Sequence, residues 1–366
     1  MKKKSAYYRL MRLMKGELIL RYDSLNFSRQ GVSAHSRMHL LLGRLEYALR
    51  VGKPLSYPQG IQLEPTIACQ LDCPYCPRIK ATEGMELGHM KWEDYERLLK
   101  EVGPYVNTIA FWQWGEPLLH PRMADMIRLA DSYGIISMMS TNAQIDPDDI
   151  DLEALVDSGL DMLIVSMDGI TQETFEKFRA GGQIQRLRRF TEAVIDTKRR
   201  LKNERLKINI RVVATSENEQ EIEAVRSYAR EIGADLFSVK SVSLYYEDDP
   251  DDPHLPQDRN LRSFQYQGRE EAEKYRQMPN MCRKPWKYPT LRYDGTLLFC
   301  ECDHMKEAVL GNVFDAGSFR KVWRGTAAAD YRKRFKRNGE IDLDFCRRCR
   351  YKIGDAIRVV EDLKIR

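Results

Sequence analysis

Three cysteines fall within eight residues, Cys69-Gln70-Leu71-Asp72-Cys73-Pro74-Tyr75-Cys76, directly after an apolar run over residues 61–67. Three thiolates on one short loop can hold three irons of a 4Fe–4S cluster and leave the fourth iron without a protein ligand. An open iron can bind a substrate or cofactor, so C-x3-C-x2-C points to chemistry rather than to scaffolding alone. A structural zinc site takes four ligands, usually as two close pairs, and no fourth Cys or His lies nearby. A disulfide would leave one odd thiol. A second set of cysteines, Cys282, Cys300, Cys302, Cys346 and Cys349, lies far downstream.

These residues need a frame, and the sequence between them supplies one. Strand-like runs over 61–67, 106–112, 135–140, 162–166, 208–214 and 236–242 alternate with helical spacing over 92–102, 122–133, 152–158, 187–200 and 219–232. Such alternation predicts a parallel sheet with crossover helices. Six repeats fit an open (β/α)6 arrangement rather than a closed eight-fold barrel. Ligands of such α/β folds gather at the carboxyl ends of the strands, and the first three cysteines sit just beyond the first one. The acidic, proline-rich stretch Asp249-Pro250-Asp251-Asp252-Pro253 ends the alternation as a loop, either a solvated connection or a lid.

At 366 residues, the chain is long enough for two packed units, and apolar residues make up 43% of it. No stretch reaches the ~18 apolar residues of a membrane span. The opening Met1-Lys2-Lys3-Lys4 is followed by further Arg and Lys through Lys15, so no signal-peptide core develops and the expectation is a cytoplasmic protein. Eight cysteines then favour metal ligation over disulfides. The net charge of +5 is unevenly spread: residues 1–53 carry twelve Lys/Arg against Glu17, Asp23 and Glu46. Within that segment Tyr7, Leu10, Met11, Met14 and Leu18, and again Met38, Leu41, Leu42 and Leu45, recur at helical spacing. A basic amphipathic segment either lies on an anionic membrane surface or packs on the body with its charges solvated. Nucleic acid is not expected as a partner.

Residues 61–242 resemble the core of radical S-adenosylmethionine (SAM) enzymes, because several strand-end segments match that family in order. The cysteine loop carries an aromatic, Tyr75, before its last Cys. Gly115-Glu116-Pro117 after the second strand resembles the GGEP motif, with Trp114 where the family usually has its first Gly. A carboxylate suits SAM's ammonium and a glycine allows close backbone approach. Ser140-Thr141-Asn142 ends the third strand and Ser166-Met167-Asp168-Gly169 the fourth, with Arg179 following. The resemblance implies that Cys69, Cys73 and Cys76 hold the first cluster. It implies that Gly115 and Glu116 take the methionine amino group, and Ser140, Asn142 and Ser166 the ribose or carboxylate. Arg179 would pair with the carboxylate and Tyr75 lie against adenine. Asp168 either caps a following helix through Thr171 or reaches substrate, and Val213 packs on adenine or in the core.

The order Cys282, Asp294-Gly295, Cys300, Gly311-Asn312, Cys346-Arg347-Arg348-Cys349 resembles the SPASM/twitch extension of the same enzymes. It implies an auxiliary 4Fe–4S cluster, most simply on Cys282, Cys300, Cys346 and Cys349, although a zinc site also fits C-x2-C with distant cysteines. Cys302 is surplus: an alternative ligand, a buried thiol, or a hydrogen-atom donor to substrate.

The fold expected is therefore α/β. It comprises a basic helical extension (1–58), a partial (β/α)6 radical SAM core (59–245), and a small α+β SPASM/twitch-like unit with its linker (246–366). The resemblance implies reductive cleavage of SAM to a 5′-deoxyadenosyl radical, with flavodoxin or ferredoxin as electron donor. Hydrogen would be taken from a small polar, sugar- or cyclitol-like substrate, which is then oxidised through the auxiliary cluster. The alternatives are a radical epimerase using Cys302, a ribosomal-peptide maturase, and a lipid- or RNA-directed enzyme.

Overall fold

The computed structural model describes the chain apart from residues 1–5, 23–24, 83–85, 245–248, 279–281, 305, 336–342, 344–345, 347–348, 350–356 and 365–366. The N-terminal segment differs from its expected all-helical form. A helix over Ala6–Met14 stops because Gly16 takes a left-handed conformation (φ +80°) and its N–H donates to the Leu13 carbonyl. Leu18 therefore starts a strand instead of continuing the helical stripe. Leu18–Tyr22 (β1) and Leu25–Arg29 (β2) form an antiparallel hairpin that pairs Leu20 with Phe27. A second helix, Ala34–Ala48, follows, its first turn capped by the Ser33 side chain. Leu13 and Leu40 turn inward with Leu18 and Leu20 onto Ile136, while Met11, Met14, Met38, Leu41 and Leu45 remain exposed.

The next six strands are Gly60–Leu63 (β3), Thr108–Phe111 (β4), Ile136–Thr141 (β5), Met162–Ser166 (β6), Lys207–Ala214 (β7) and Leu236–Ser241 (β8). Each pairs in parallel with the next, as the alternating pattern predicts. The crossover helices bury one face each. In Trp92–Val102 the inward residues Tyr95, Leu98, Leu99 and Val102 follow helical spacing. Strand β3 is shorter than the expected run because Pro65 carries the chain out of the sheet, where Ile67 N–H donates to the Gly88 carbonyl.

The C-terminal region extends this sheet on both edges. Thr290–Leu291 (β9) lies parallel to β3, and Thr296–Leu298 (β10) and Val309–Asn312 (β11) add antiparallel beyond it. Gly295 (φ +87°) makes the β9–β10 turn that the Asp294-Gly295 pair foretells. Ile357–Asp362 (β12) covers the far edge of β8, giving a ten-stranded order β11-β10-β9-β3-β4-β5-β6-β7-β8-β12. The connection between the helix Ala34–Ala48 and β3 is clamped from the C-terminal side: Trp286 donates to the Val51 carbonyl, Trp323 to Ser56 and Arg332 to Gly52.

Inside the curved sheet Met138, Met162, Ile164 and Leu236 cluster with Phe27 and Trp112. The hairpin thus closes the end of the barrel where the parallel strands begin. Among the described residues no helix is long and apolar enough to cross a membrane.

Candidate active site

The segment after β3 is drawn against the turn after β4 by backbone alone. Glu116 N–H donates to the Ala68 carbonyl at 2.8 Å. A Cβ at Gly115 would stand 2.0 Å from the Thr66 carbonyl oxygen and 3.0 Å from that of Ala68. Only glycine allows this approach, so Gly115 fixes the distance between the carboxylate and the cysteine loop.

Glu116 is 2% exposed. Its carboxylate accepts from Asn142 N–H (2.7 Å), the Thr141 hydroxyl (2.8 Å) and Leu118 N–H (3.1 Å). Burial nevertheless pushes its pKa up to about 7. Three of roughly four acceptor positions are filled, leaving room for one more donor; a cationic one would return the group to its ionised form. Asn142 also points its amide nitrogen at Cys69 Sγ, 3.6 Å away. Ala143 holds a positive φ of 56° just beyond, stabilised by its N–H donating to Thr141 Oγ1.

Arg179 faces the same loop from the other side. Its guanidinium lies 2.6 Å from Asp168 and reaches Cys73 Sγ at 3.9 Å. Asp168, with no exposed side chain, also accepts from Val213 N–H at 2.6 Å. Asp168 thus orients Arg179 and β7. It does not cap the helix Gln172–Phe178, which Thr171 caps itself. Nor is it among the cavity-lining residues described below. Tyr75 stacks on Phe178 with ring centroids 4.7 Å apart, and its hydroxyl meets Glu217 and His254. That contact ties the loop containing Asp249–Pro253 to the cluster segment: Ser216 N–H donates to the His254 carbonyl and its hydroxyl to that of Pro253. Ser140 and Ser166 stand half-buried at the ends of β5 and β6.

The thiols fit an iron–sulfur cluster. Burial is the main cause that raises Cys69, to about 11, and Cys76, and the neighbouring Cys73 adds to both. Thiolates so placed need a cationic centre to exist. The Asn142 and Arg179 donors at sulfur are the kind of contact that tunes such clusters. Among the described residues, no three Cys, His, Asp or Glu side chains close tightly enough to hold a single metal ion.

Around the second set, burial raises Cys282 and Cys346, while a hydrogen bond with Cys302 is the main cause raising Cys300. Cys302 is also an electrostatic neighbour of Cys282 and Cys346. Cys349 N–H donates to the Cys346 carbonyl at 3.3 Å. The structure therefore places Cys302 among the other cysteines, and it does not line the cavity beside Cys73.

That cavity, of about 430 Å³, runs through the barrel. Cys73, Tyr75, Cys76 and Arg179 line one part of it, and Lys284, Glu301 and His304, which neighbour the second cysteine set, line another. Three groups here carried no motif signal. Trp114 lines the cavity while its backbone N–H donates to Glu64, and Gln62 on β3 donates to Gln113, which follows β4. Lys284 pairs with Glu301.

Fold and site define an enzyme that holds SAM against an iron–sulfur cluster, with an auxiliary cluster site in a C-terminal unit. The Radical SAM superfamily model matches residues 63–266, more than half the chain, and the SPASM model, an iron–sulfur cluster-binding domain, matches residues 282–350. The chain belongs to the radical SAM superfamily and carries a C-terminal SPASM domain.

Curated relatives include an AdoMet-dependent heme synthase of Methanosarcina barkeri, 28% identical over 183 residues, covering 50% of each chain. A tungsten-containing aldehyde ferredoxin oxidoreductase cofactor-modifying protein of Pyrococcus furiosus is 26% identical over 188 residues, or 50% of this chain and 51% of the relative. The matches span about half the length of these relatives. Among solved structures, Streptococcus suis SuiB bound to S-adenosylmethionine superposes with a TM-score of 0.59 at 15% identity, covering 89% of this chain and 85% of that one. AnSMEcpe with bound AdoMet gives 0.55 at 18% identity, covering 80% and 88%. At these identities the likeness is one of fold.

Proposed function

We propose that the enzyme removes hydrogen from a carbinol-type carbon of a substrate held in the barrel cavity and oxidises it through the SPASM domain. The observation that carries this reading is the cavity itself, which is lined by residues of both cysteine regions. When bound, the first cluster and SAM supply hydrogen-atom abstraction, and an auxiliary cluster supplies an acceptor for the remaining electron.

The chain's own groups have separable tasks. Cys69, Cys73 and Cys76 hold the first cluster. Glu116 and Gly115 receive SAM's ammonium, Arg179 its carboxylate, Asn142, Ser140 and Ser166 its polar edges, and Tyr75 its adenine. Cys282, Cys300 and Cys346 hold the auxiliary cluster, with Cys349 or Cys302 completing it. Glu301, at the auxiliary end of the cavity with His304 beside it, accepts the single hydroxyl proton as a carbonyl forms. A sugar- or cyclitol-like head group fits the polar lining between that end and the cysteine loop. Reaction in heavy water tests this reading: a carbonyl product without solvent deuterium supports it. A deuterated, redox-neutral product instead supports epimerisation with Cys302 as donor.

The exposed face of the N-terminal segment supports a second surface role, docking on an anionic membrane. Met14, Met38 and Leu45 are each more than half exposed and line a groove of about 490 Å³ beside Arg37, within the strongly basic first 53 residues. Co-flotation with phosphatidylserine vesicles, lost at high salt, would support it; absence of flotation at low salt would exclude it.

A further inference from the structure

Leu20 and Phe27 stand opposite one another in the β1–β2 hairpin, and both line the barrel cavity. With Ile136, Met138 and Trp112 they form a continuous apolar end. Ile136 begins β5 and Asn142 follows its last residue. At about 3.3 Å per residue this end lies ~20 Å along the strand from the cysteine loop. Among the polar lining groups Thr108 lies level with Ile136 in the β4–β5 pairing and is engaged by Tyr288, whereas Gln113 follows β4 and Arg179 reaches the cysteine loop.

We infer that the substrate is amphipathic: its reacting polar head lies by the cysteine loop, and an aliphatic tail runs to a floor made by Leu20 and Phe27. This inference rests on the reading of the cavity as the substrate site. A wholly polar molecule would leave the apolar end to water, which finds no hydrogen-bonding partners on these side chains. A hydrocarbon tail there gains from every methylene it buries. The floor comes from a hairpin outside the six-stranded core, so substrate length is set by residues that take no part in the chemistry. Its position is held by Arg29, which donates to Asp131 at 2.6 Å, at the end of the helix Met123–Ser132.

The test uses the full chain with both cluster sites reconstituted and SAM bound, titrated anaerobically with butyl, hexyl and octyl β-glucosides below their micelle concentrations. Affinity should rise roughly fourfold per added methylene until the floor is met. Phe27→Ala should extend the rise to longer homologues, and Leu20→Trp should end it earlier. Circular dichroism shows which variants fold, and either variant alone suffices. Equal affinity for butyl and octyl glucosides would overturn the inference. So would an identical series in wild type and folded variants, which would place the alkyl chain elsewhere on the protein. These are binding measurements, so they fail independently of the oxidation reading: chain-length dependence without a carbonyl product sinks only the latter.

Discussion

Glu64, at the end of the first barrel strand, and Arg292, in the SPASM-domain turn 228 residues later, meet at 3.1 Å with neither side chain exposed. Arg292 also lies over the Trp114 ring at 4.4 Å, and Trp114 N–H donates to Glu64. The charged pair thus joins the turn carrying Gly115 and Glu116 to the auxiliary domain. Removing one partner leaves a buried charge alone, a loss of about 3–5 kcal/mol, whereas replacing both by apolar groups is close to neutral. Arg292→Met should therefore unfold at lower denaturant concentration than wild type. The double variant Glu64→Leu/Arg292→Met should recover most of the difference in the same titration.

Gly115 admits no side chain. With a Cβ placed 2.0 Å from the Thr66 carbonyl oxygen, Gly115→Ala must push the Glu116 turn away from the cysteine loop. A displacement of ~1 Å near reacting groups costs roughly 100-fold in rate. 5′-Deoxyadenosine formation should fall by about that factor while iron bound at the first site stays unchanged.

Asp131 gives the hairpin anchor a pH dependence. Burial alone would raise its carboxyl, but the Arg205 and Arg29 hydrogen bonds hold it below its ordinary value. A lowered folded-state pKa stabilises the protein above the unfolded value of about 3.9, and that contribution is lost as pH falls through the folded value. Asp131→Asn should thus melt at lower temperature than wild type at neutral pH, with the gap closing in acid. A gap that stays constant into acid would contradict the assignment.

Cys302 separates two chemistries. Its hydrogen bond to Cys300 favours a place in the auxiliary site over a place facing substrate. Cys302→Ser should lower bound iron from about eight toward about four per chain. Full iron content with loss of substrate turnover would instead favour the hydrogen-donor role.

Much of this site was legible because its residues follow strand ends. Cys69, Glu116 and Asn142 each succeed a β-run and Ser166 ends one, and parallel topology brings such positions together. Trp114 looked like a defect in a glycine motif; its role depends on Arg292, a pairing that no local pattern records. The hairpin was hidden because Leu18 continues the spacing of Leu10, Met11 and Met14, and only the left-handed turn at Gly16 breaks the register. The outward face of Met38 and Leu45 has the same origin. Periodicity shows that a stripe exists, but not which side of the helix the barrel takes. For Asp168 the local pattern offers a helix cap or a substrate contact; its partner is Arg179, eleven residues on, which no short-range pattern records.

We assign the SAM-cleaving centre to Cys69, Cys73 and Cys76 beside the cavity. Anaerobically reconstituted enzyme given dithionite and SAM should release 5′-deoxyadenosine, and Cys73→Ala should release none. Undiminished 5′-deoxyadenosine from the folded variant would contradict the account.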